Sequence, residues 1–313
     1  MAECMEIVAE GLADLSRGEG QQPLRSGMLL PGRRGLLAWM PGALADGRPF
    51  GVKVLSVFKE ATAQGLDSHQ GAILLFEPEL GQPIALVEAG AVTAIRTAAA
   101  SAVATRLLAR PDATQLALLG SGIQARSHLE AMLEVRRIRK VRVWSRSVKT
   151  AQAFAEWASA RFPVHITAAE DPGTAVQNAD IICTTTPSKT PILRGKNLRP
   201  GMHINAVGAS VPSQRELDAD ALRAARLFTD RGESLENEAG DYMHALSTGA
   251  IDSRHLLAEL GDLLNGKHPG RTSNDDITVF RSLGIAVEDL VAAHHVYERA
   301  VRRGIGTEID LGR

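Results

Sequence analysis

Residues 116–125 read LALLGSGIQA: an apolar strand runs directly into a GxGxxA turn, and a helical pattern follows over Ser127–Val135. Gly120 allows the tight turn, Gly122 lets the backbone approach a pyrophosphate, and the small Ala125 lets the helix pack close to the strand. The unpaired N–H groups at the start of such a helix attract an anion. The stretch therefore predicts a dinucleotide-binding unit.

From residue 113 onward the pattern alternates between short apolar strands and amphipathic helices. Such alternation is typical of an α/β fold with a doubly wound parallel sheet of the Rossmann type. The predicted segments are Gln115–Leu119, Ser127–Val135, Lys140–Trp144, Thr150–Ser159, Val164–Ile166, Thr174–Asn178, Ala179–Thr184 and Met202–Val207. We assign residues 113–284 to this domain.

The first third of the chain has a different pattern. Met1–Gly18 carries apolar residues at helical spacing and predicts an amphipathic surface helix. The short runs that follow predict a mostly antiparallel sheet, and an alanine-rich helix over Ala91–Ala109 closes the unit. These runs are Met28–Leu30, Gly35–Met40, Gly51–Phe58, Ala72–Glu77 and Ile84–Glu88.

We therefore predict an α+β domain over residues 1–112. The final stretch, residues 277–302, is predicted to be helical. Residues 285–313 are expected to pack back on the first domain and complete it.

Composition narrows the class of partner. A chain of 313 residues with 44% hydrophobic side chains is long enough for about two domains. Its 35 basic residues balance 36 acidic ones, which argues against nucleic acid or an anionic membrane and favours a small molecule. No apolar run reaches the ~20 residues that span a bilayer, and the N-terminus does not resemble a signal peptide. Cys4 and Cys183 lie far apart in the sequence, so free thiols and a cytoplasmic location are expected.

The choice of dinucleotide depends on the residues that end the second strand of a Rossmann unit. An acidic side chain there favours the ribose 2′-hydroxyl of NAD. Directly after the strand Val141–Trp144 the chain instead has Ser145, Arg146 and Ser147, with Lys149 close behind. Hydroxyls and a guanidinium suit the additional phosphate of NADP, so NADP(H) is favoured over NAD(H). The alternative interpretation is that Arg146 is a solvated loop arginine.

Several longer motifs spread over nearly the whole chain match a single family. They are SHQG (68–71), LLFEP (74–78), RTAAASA (96–102), the glycine turn, HINAVGAS (203–210), REL (215–217) and TVFRSLG (278–284). On these residues the chain resembles the ornithine cyclodeaminase and mu-crystallin family of dehydrogenases. The resemblance implies a homodimer in which the N-terminal domain supplies substrate groups and dimer contacts, while the Rossmann domain holds the cofactor.

The residues that carry substrate chemistry in this family match Arg25, Lys53 and Arg96. A guanidinium can hold the carboxylate of an imino acid by two parallel hydrogen bonds, which fixes the neighbouring carbon against a nicotinamide. The resemblance thus implies that Arg96 binds the carboxylate with help from Arg25, and that Lys53 neutralises charge or supplies a proton. For Lys53 the alternative is a strand lysine that reaches solvent.

Position 210 bears on the type of reaction. Cyclodeaminases of this family carry an aspartate there as acid and base, whereas this chain has Ser210. A neutral hydroxyl cannot take a proton from an ammonium group as a carboxylate does. The resemblance therefore implies an NAD(P)H-dependent reductase of cyclic ketimines, which converts Δ1-pyrroline-2-carboxylate or Δ1-piperideine-2-carboxylate to L-proline or L-pipecolate. An ornithine cyclodeaminase, an alanine-type amino-acid dehydrogenase and a non-catalytic NADPH-dependent binding protein stay open as alternatives.

The remaining site residues combine the motifs above with the resemblance. The expected cofactor contacts are Ser68, Arg96, Gly120, Ser121, Gly122, Ile123, Gln124, Ser145, Arg146, Ser147, Thr184, Thr185, Val207, Gly208 and Ser282. Ser210 and Leu283 are expected to face substrate, and His69 either lines the same pocket or is a hydrogen-bonded structural residue. The histidines show no metal-ligand spacing, so no metal site is predicted.

Overall fold

Two sheets organise the chain. The fold is described here from a computed structural model for residues 1–310, without the side chains of residues 33, 59 and 62. One sheet has five antiparallel strands and the other has eight parallel strands. The predicted α/β class is therefore confirmed. The predicted domain boundaries at residues 112 and 284 stay predictions, and residues 311–313 of the first predicted domain lie outside the described residues.

The antiparallel sheet is built from the first part of the chain in the order β1-β2-β3-β4-β5. Its inner face includes Lys53 with its cross-strand partner Ile73, because directly paired residues point to the same side. Ile73 and Leu75 are fully buried on this face. The strands are β1 (Ser26–Leu29), β2 (Leu36–Ala43), β3 (Phe50–Val57), β4 (His69–Phe76) and β5 (Pro83–Glu88).

The parallel sheet has the order β12-β11-β13-β10-β9-β6-β7-β8. Its central strands are buried on both faces, as expected for a sheet covered by helices on each side. The strand order reverses between β6 and β9, which is where a doubly wound sheet binds its ligand. The strands are β6 (Gln115–Leu119), β7 (Lys140–Trp144), β8 (His165–Ala168), β9 (Ile181–Thr184), β10 (His203–Ala206), β11 (Arg226–Thr229), β12 (Leu256–Glu259) and β13 (Thr278–Arg281).

Helices pack on both sheets, and on the antiparallel sheet they lie against the inner face. The helices are α1 (Ala2–Arg17), α2 (Ala89–Leu108), α3 (Ile123–Val135), α4 (Val148–Ser159), α5 (Pro172–Val176), α6 (Ala219–Arg223), α7 (Gly232–Glu238), α8 (Gly240–Ser247), α9 (Leu260–Leu264) and α10 (Ala286–Arg303). Helix α10 packs on α1, α2 and the inner face of β2, β3 and β4, so the last helix joins the first sheet. Within residues 1–310, no helix is long and apolar enough to cross a membrane.

The predicted helix over residues 277–302 is wrong in its first part. Thr278–Arg281 forms β13, which pairs with β10 on one side and β11 on the other. Because this strand is buried on both faces, it lacks the alternation of polar and apolar residues that reveals a strand. A turn at Gly284, with φ of +72°, then leads into α10.

Candidate active site

The three cations predicted for substrate binding come from different elements. Arg25 precedes β1, Lys53 lies in the centre of β3, and Arg96 lies in α2. Lys53 is only 3% exposed and Arg96 only 4%, so Lys53 is not a lysine that reaches solvent. All three side chains are directed to one late segment of the chain, the turn after β13 and the first turn of α10.

Asp289 in α10 joins two of these cations. Its Oδ1 atom accepts a hydrogen bond from Lys53 Nζ at 3.0 Å and one from Arg96 Nε at 2.8 Å. Arg96 Nη1 donates to Glu288 Oε2 at 2.5 Å. Lys53 Nζ also donates to Thr93 Oγ1 at 2.6 Å. We call Lys53, Arg96, Glu288 and Asp289 the buried cluster.

Arg25 reaches the same region through the turn formed by Leu283 and Gly284. Its Nη2 atom donates to the carbonyl oxygen of Leu283 at 2.7 Å and to that of Gly284 at 3.2 Å. The guanidinium also pairs with Glu238, with Nε 2.8 Å from Oε1 and Nη2 2.6 Å from Oε2. Arg25 is therefore held by a carboxylate of the protein in this structure.

The turn itself is held from its other side by a buried carboxylate. Asp230 Oδ2 accepts the N–H groups of Leu283 and Gly284, each at 2.7 Å. A Cβ atom at Gly284 would lie 2.6 Å from Arg96 Nη1. Glycine at this position thus lets the Arg96 guanidinium pack directly against the turn.

Burial and charge set the ionisation of the buried cluster. Burial lowers the pKa of Lys53 to about 8; the Asp289 charge opposes this shift, and the Arg96 charge adds to it. Burial raises the pKa of Glu288 to about 8 against the attraction of Arg96. Burial also disfavours ionised Asp289, but Arg96 and Lys53 outweigh it and hold the pKa of this carboxyl below its usual value. Near neutral pH, Lys53 and Asp289 are therefore charged, whereas burial favours the protonated form of Glu288 and Arg96 favours its ionised form.

Sequence analysis missed the carboxylates that hold these cations. A usable signal exists for Glu288 and Asp289, which are adjacent acids inside the apolar run IAVEDLVAA at residues 285–293. Buried carboxylates need a cationic partner, so this interruption predicts one. Asp230 and Glu238 carry no comparable signal. Within residues 1–310, no group of three or more histidine, cysteine or acidic side chains is placed to hold a metal ion.

The glycine turn, residues 120–122, joins β6 to α3 as predicted. Gly120 has φ of +131°, and a Cβ atom there would lie 2.3 Å from Thr185 Oγ1, so a side chain does not fit. At Gly122 the position of a Cβ atom is open space. Within the described chain, no side chain caps the start of α3, so its N–H groups are available to an anion.

Gln124 connects the glycine turn to the neighbourhood of Lys53. Its Nε2 atom donates to the backbone oxygen of Thr93 at 3.4 Å, and Thr93 accepts from Lys53 through its hydroxyl. The Oε1 atom of Gln124 is buried and, among the described residues, has no hydrogen-bond partner. Of the neighbouring predicted contacts, Ile123 is exposed and Ser121 is half-buried.

Glu216 organises the ends of β9 and β10. Its carboxylate accepts from Thr184 Oγ1 at 2.8 Å, from Thr186 N at 2.6 Å and from Gly208 N at 2.7 Å. Thr184 is fully buried with its hydroxyl directed to Glu216, and its predicted contact with the cofactor stays a prediction. Thr185 and Gly208 are half-buried at the same edge.

The residues that follow β7 lie at the carboxyl-end edge of the parallel sheet. Arg146 is exposed and makes no ion pair or hydrogen bond with the rest of residues 1–310. Ser147 is the N-cap of α4 without a capping hydrogen bond from its side chain. Ser145 Oγ accepts from Thr150 Oγ1 at 3.0 Å.

The other predicted contacts differ in how far they are buried. Ser68 Oγ is 2.9 Å from Nδ1 of the exposed His69, whose pKa is lowered by partial loss of solvent and then by the charge of Lys53. Ser210 is half-buried, whereas Val207, Ser282 and Leu283 are buried. The Ser282 hydroxyl has no partner among the described residues. Both interpretations of His69 stay open.

Arg281 is a further residue that sequence reasoning did not single out. It is fully buried, and its Nε atom donates to Asp241 Oδ1 at 2.9 Å. Its Nη1 atom donates to the carbonyl oxygen of Ala206 at 2.7 Å, and Nη2 donates to that of Ala209. Arg281 thus fixes the loop that carries Ser210 against the end of β13.

A sequence model of the ornithine cyclodeaminase/mu-crystallin family matches residues 1–304. The chain belongs to this family. Among other members, the ketimine reductase mu-crystallin of Mus musculus is 39% identical over 290 residues, which cover 92% of this chain and 88% of the relative. The predicted family is therefore confirmed.

Solved structures of ornithine cyclodeaminase/mu-crystallin relatives have the same fold. The structure of Thermococcus litoralis Δ1-pyrroline-2-carboxylate reductase in complex with NADH and L-proline has a TM-score of 0.95 and 38% identity, with 99% of this chain and 96% of that chain covered. An archaeal alanine dehydrogenase dimer with bound NAD has a TM-score of 0.94 and 30% identity, with 100% and 95% covered.

Proposed function

We propose that this protein reduces cyclic ketimines that carry a carboxylate, with NADPH as the reductant. The proposed substrates are Δ1-pyrroline-2-carboxylate and Δ1-piperideine-2-carboxylate, and the products are L-proline and L-pipecolate. The observation that carries the proposal is the convergence of Arg25, Lys53 and Arg96 on the end of β13 and the start of α10. Relatives named Δ1-pyrroline-2-carboxylate reductase and ketimine reductase support it.

A nicotinamide dinucleotide fits the edge of the parallel sheet. The open space at Gly122 and the uncapped start of α3 suit its pyrophosphate, and the residues after β7 suit its adenosine end. When bound in the reduced form, this cofactor supplies the hydride that converts the C=N bond to C–N.

Arg96 has the groups needed to orient the substrate. Two of its five N–H groups bond to Glu288 and Asp289, which leaves three for the carboxylate of an imino acid. A carboxylate held by two parallel hydrogen bonds fixes the imine carbon that lies next to it. Arg25 adds positive charge nearby, although Glu238 already pairs with its guanidinium.

Lys53 is suited to the nitrogen of the substrate. Two of its three N–H groups bond to Thr93 and Asp289, which leaves one to approach the imine nitrogen or the carboxylate. A protonated imine accepts hydride more readily than a neutral one, and imines take up protons easily, so the demand on this acid is small. The product nitrogen keeps that proton.

The direct test is turnover of the two cyclic imines. Purified protein and NADPH are mixed with each imine, and we expect nicotinamide absorbance to fall with formation of the L-amino acid. Lack of turnover with both imines refutes the proposed function. Release of ammonia from L-ornithine would instead indicate a cyclodeaminase, and reduction of NAD⁺ by L-alanine would indicate an amino-acid dehydrogenase.

Arg146→Ala is expected to weaken NADPH binding about tenfold to a hundredfold. A hydrogen bond to a charged group contributes ~1.5 to 3 kcal/mol, and the 2′-phosphate that Arg146 would contact is absent from NADH. The Kd of each cofactor is measured by fluorescence titration. Arg139→Ala is the matched control, because Arg139 is an exposed arginine that immediately precedes β7, whereas Arg146 follows the other end of this strand. Equal weakening of NADPH and NADH would contradict the assignment.

The protein is expected to be a homodimer through the outer face of the antiparallel sheet. This face exposes Val54 and Leu86 and carries the stacked rings of Phe50 and Phe76, and an apolar sheet face of this kind favours association. Light scattering should give twice the mass of one chain. Val54→Glu should give a monomer at micromolar concentration, whereas Leu257→Glu, on β12, should not. A monomeric wild-type protein would rule out this interface.

A further inference from the structure

We propose that Asp289 is the positioning residue that holds Lys53 and Arg96 together as one substrate-binding unit. The inference rests on the proposed function and deepens it, because it assigns a role to a residue that would not itself touch substrate. Asp289 is fully buried and belongs to α10, whereas the two cations belong to β3 and α2.

The first argument is that a single oxygen atom serves both cations. Asp289 Oδ1 lies 3.0 Å from Lys53 Nζ and 2.8 Å from Arg96 Nε. Two nitrogens bonded to one oxygen at such distances are at most about 6 Å apart, although two buried positive charges repel each other. The carboxylate therefore sets both the separation and the relative direction of the two groups.

The second argument concerns the orientation of the Lys53 ammonium. The Thr93 hydroxyl donates its only proton to the carbonyl oxygen of Ala89 at 2.6 Å, so it can only accept from Lys53 Nζ. With Thr93 and Asp289 as fixed acceptors, the direction of the third N–H group of Lys53 is determined. Loss of either acceptor would free the ammonium to rotate.

The third argument is a contrast with the neighbouring residue. Glu288 is equally buried, but among the described residues its carboxyl group is hydrogen-bonded to Arg96 and not to Lys53. Each of the two residues has a second carboxyl oxygen that is buried and has no partner among the described residues. Because the two residues match in burial and in this unpartnered oxygen, what distinguishes Asp289 is the single oxygen that serves both Lys53 and Arg96. Glu288 is thus a matched control carboxylate.

A double-mutant cycle tests the proposal in the full-length enzyme. We expect Asp289→Asn to lower kcat/KM about 10²-fold, as when a reacting group is misplaced by about 1 Å. In the double variant Asp289→Asn/Lys53→Met, the loss in kcat/KM should be at least about tenfold smaller than the product of the two single losses. The reason is that the effects of residues that act together are not additive. In the control cycle, the losses in kcat/KM caused by Glu288→Gln and by Lys53→Met should multiply in the double variant. If the losses in kcat/KM caused by Asp289→Asn and by Lys53→Met also multiply, the proposal is overturned.

A second readout needs no substrate and stays valid if the proposed reaction is wrong. The charged and titratable groups around Lys53 are Asp289, Arg96, Arg25 and His69. Because the Asp289 charge supports the ammonium, Asp289→Asn should move the pKa of Lys53 below its value of about 8, whereas Glu288→Gln should leave it in place. NMR titration with ¹³C-labelled lysine measures this pKa, and Lys53→Met assigns its signal among the seven lysines.

The conservative variant Asp289→Glu covers the case in which the asparagine variant does not fold. It keeps the charge but moves the oxygen, so kcat/KM should fall while the pKa of Lys53 stays near about 8. Cofactor Kd should stay within threefold of wild type in both variants. Wild-type kcat/KM in Asp289→Glu would overturn the positioning role, and no turnover by the wild type would refute only the proposed reaction.

Discussion

Replacement of Arg96 by alanine is expected to lower kcat/KM for the cyclic imine about 10³-fold. The variant loses the guanidinium that would hold the substrate carboxylate, and each hydrogen bond to a charged group contributes ~1.5 to 3 kcal/mol. Cofactor affinity should fall far less than kcat/KM, because Arg96 is only one of many expected cofactor contacts and the glycine turn and the strand ends stay intact. Steady-state kinetics give the loss, and fluorescence titration gives the cofactor Kd.

Two further variants isolate the cause of this loss. Arg96→Lys keeps the positive charge without the planar fork and should recover only part of the activity. Arg106→Ala changes an exposed arginine of the same helix that pairs with Glu6, so its kcat/KM should match wild type. Because Arg96→Ala leaves Glu288 and Asp289 without their main partner, its melting temperature should fall, and kinetics are measured well below it. A folded Arg96→Ala enzyme within tenfold of wild type would contradict the assignment.

Lys53→Met is expected to lower kcat/KM about 10²- to 10³-fold, in the range typical of losing a general acid. Met preserves the length of the buried side chain, so the fold should be retained. The pKa of Lys53 lies at about 8 because of burial. If the ammonium is the active form, wild-type kcat/KM falls as pH rises through about 8, and this fall should be absent from Lys53→Met.

The control for this variant is Lys140→Met, an exposed lysine at the start of β7. It should keep both wild-type kcat/KM and the fall in activity above about pH 8. The same fall in the Lys53→Met profile would show that another group controls it and would remove Lys53 from its proposed role.

Elements with strong local signals were predictable from the sequence. The strands β6 and β7 match the predicted ranges residue for residue, because β6 is a short apolar run, β7 alternates polar and apolar residues, and each ends at a clear turn. The glycine turn was predictable for the same reason. The strand β13 was not predictable, because a segment buried on both faces shows no alternation of polar and apolar residues. Its four residues also lie only a short turn before the helix α10, so the two elements were predicted as one helix.

The sequence located the cations of the candidate site but not the carboxylates that pair with them. Arg25, Lys53 and Arg96 came from the resemblance, and the structure directs them to one place. Their carboxylate partners could not be assigned, since Asp289 is 236 residues from Lys53 in the sequence and periodicity does not reveal which element a helix will face. Thr184 shows the converse problem, because its position at a strand end was predictable but its bond to Glu216 was not.

The packing of α10 against the first sheet also determines when the site can form during synthesis. The cations leave the ribosome early, whereas Glu288 and Asp289 emerge only when the chain is nearly finished. A nascent chain that ends at β13 would contain every part of the parallel sheet but would leave Lys53 and Arg96 without counter-charges. Translation must therefore be almost complete before the proposed substrate site can form.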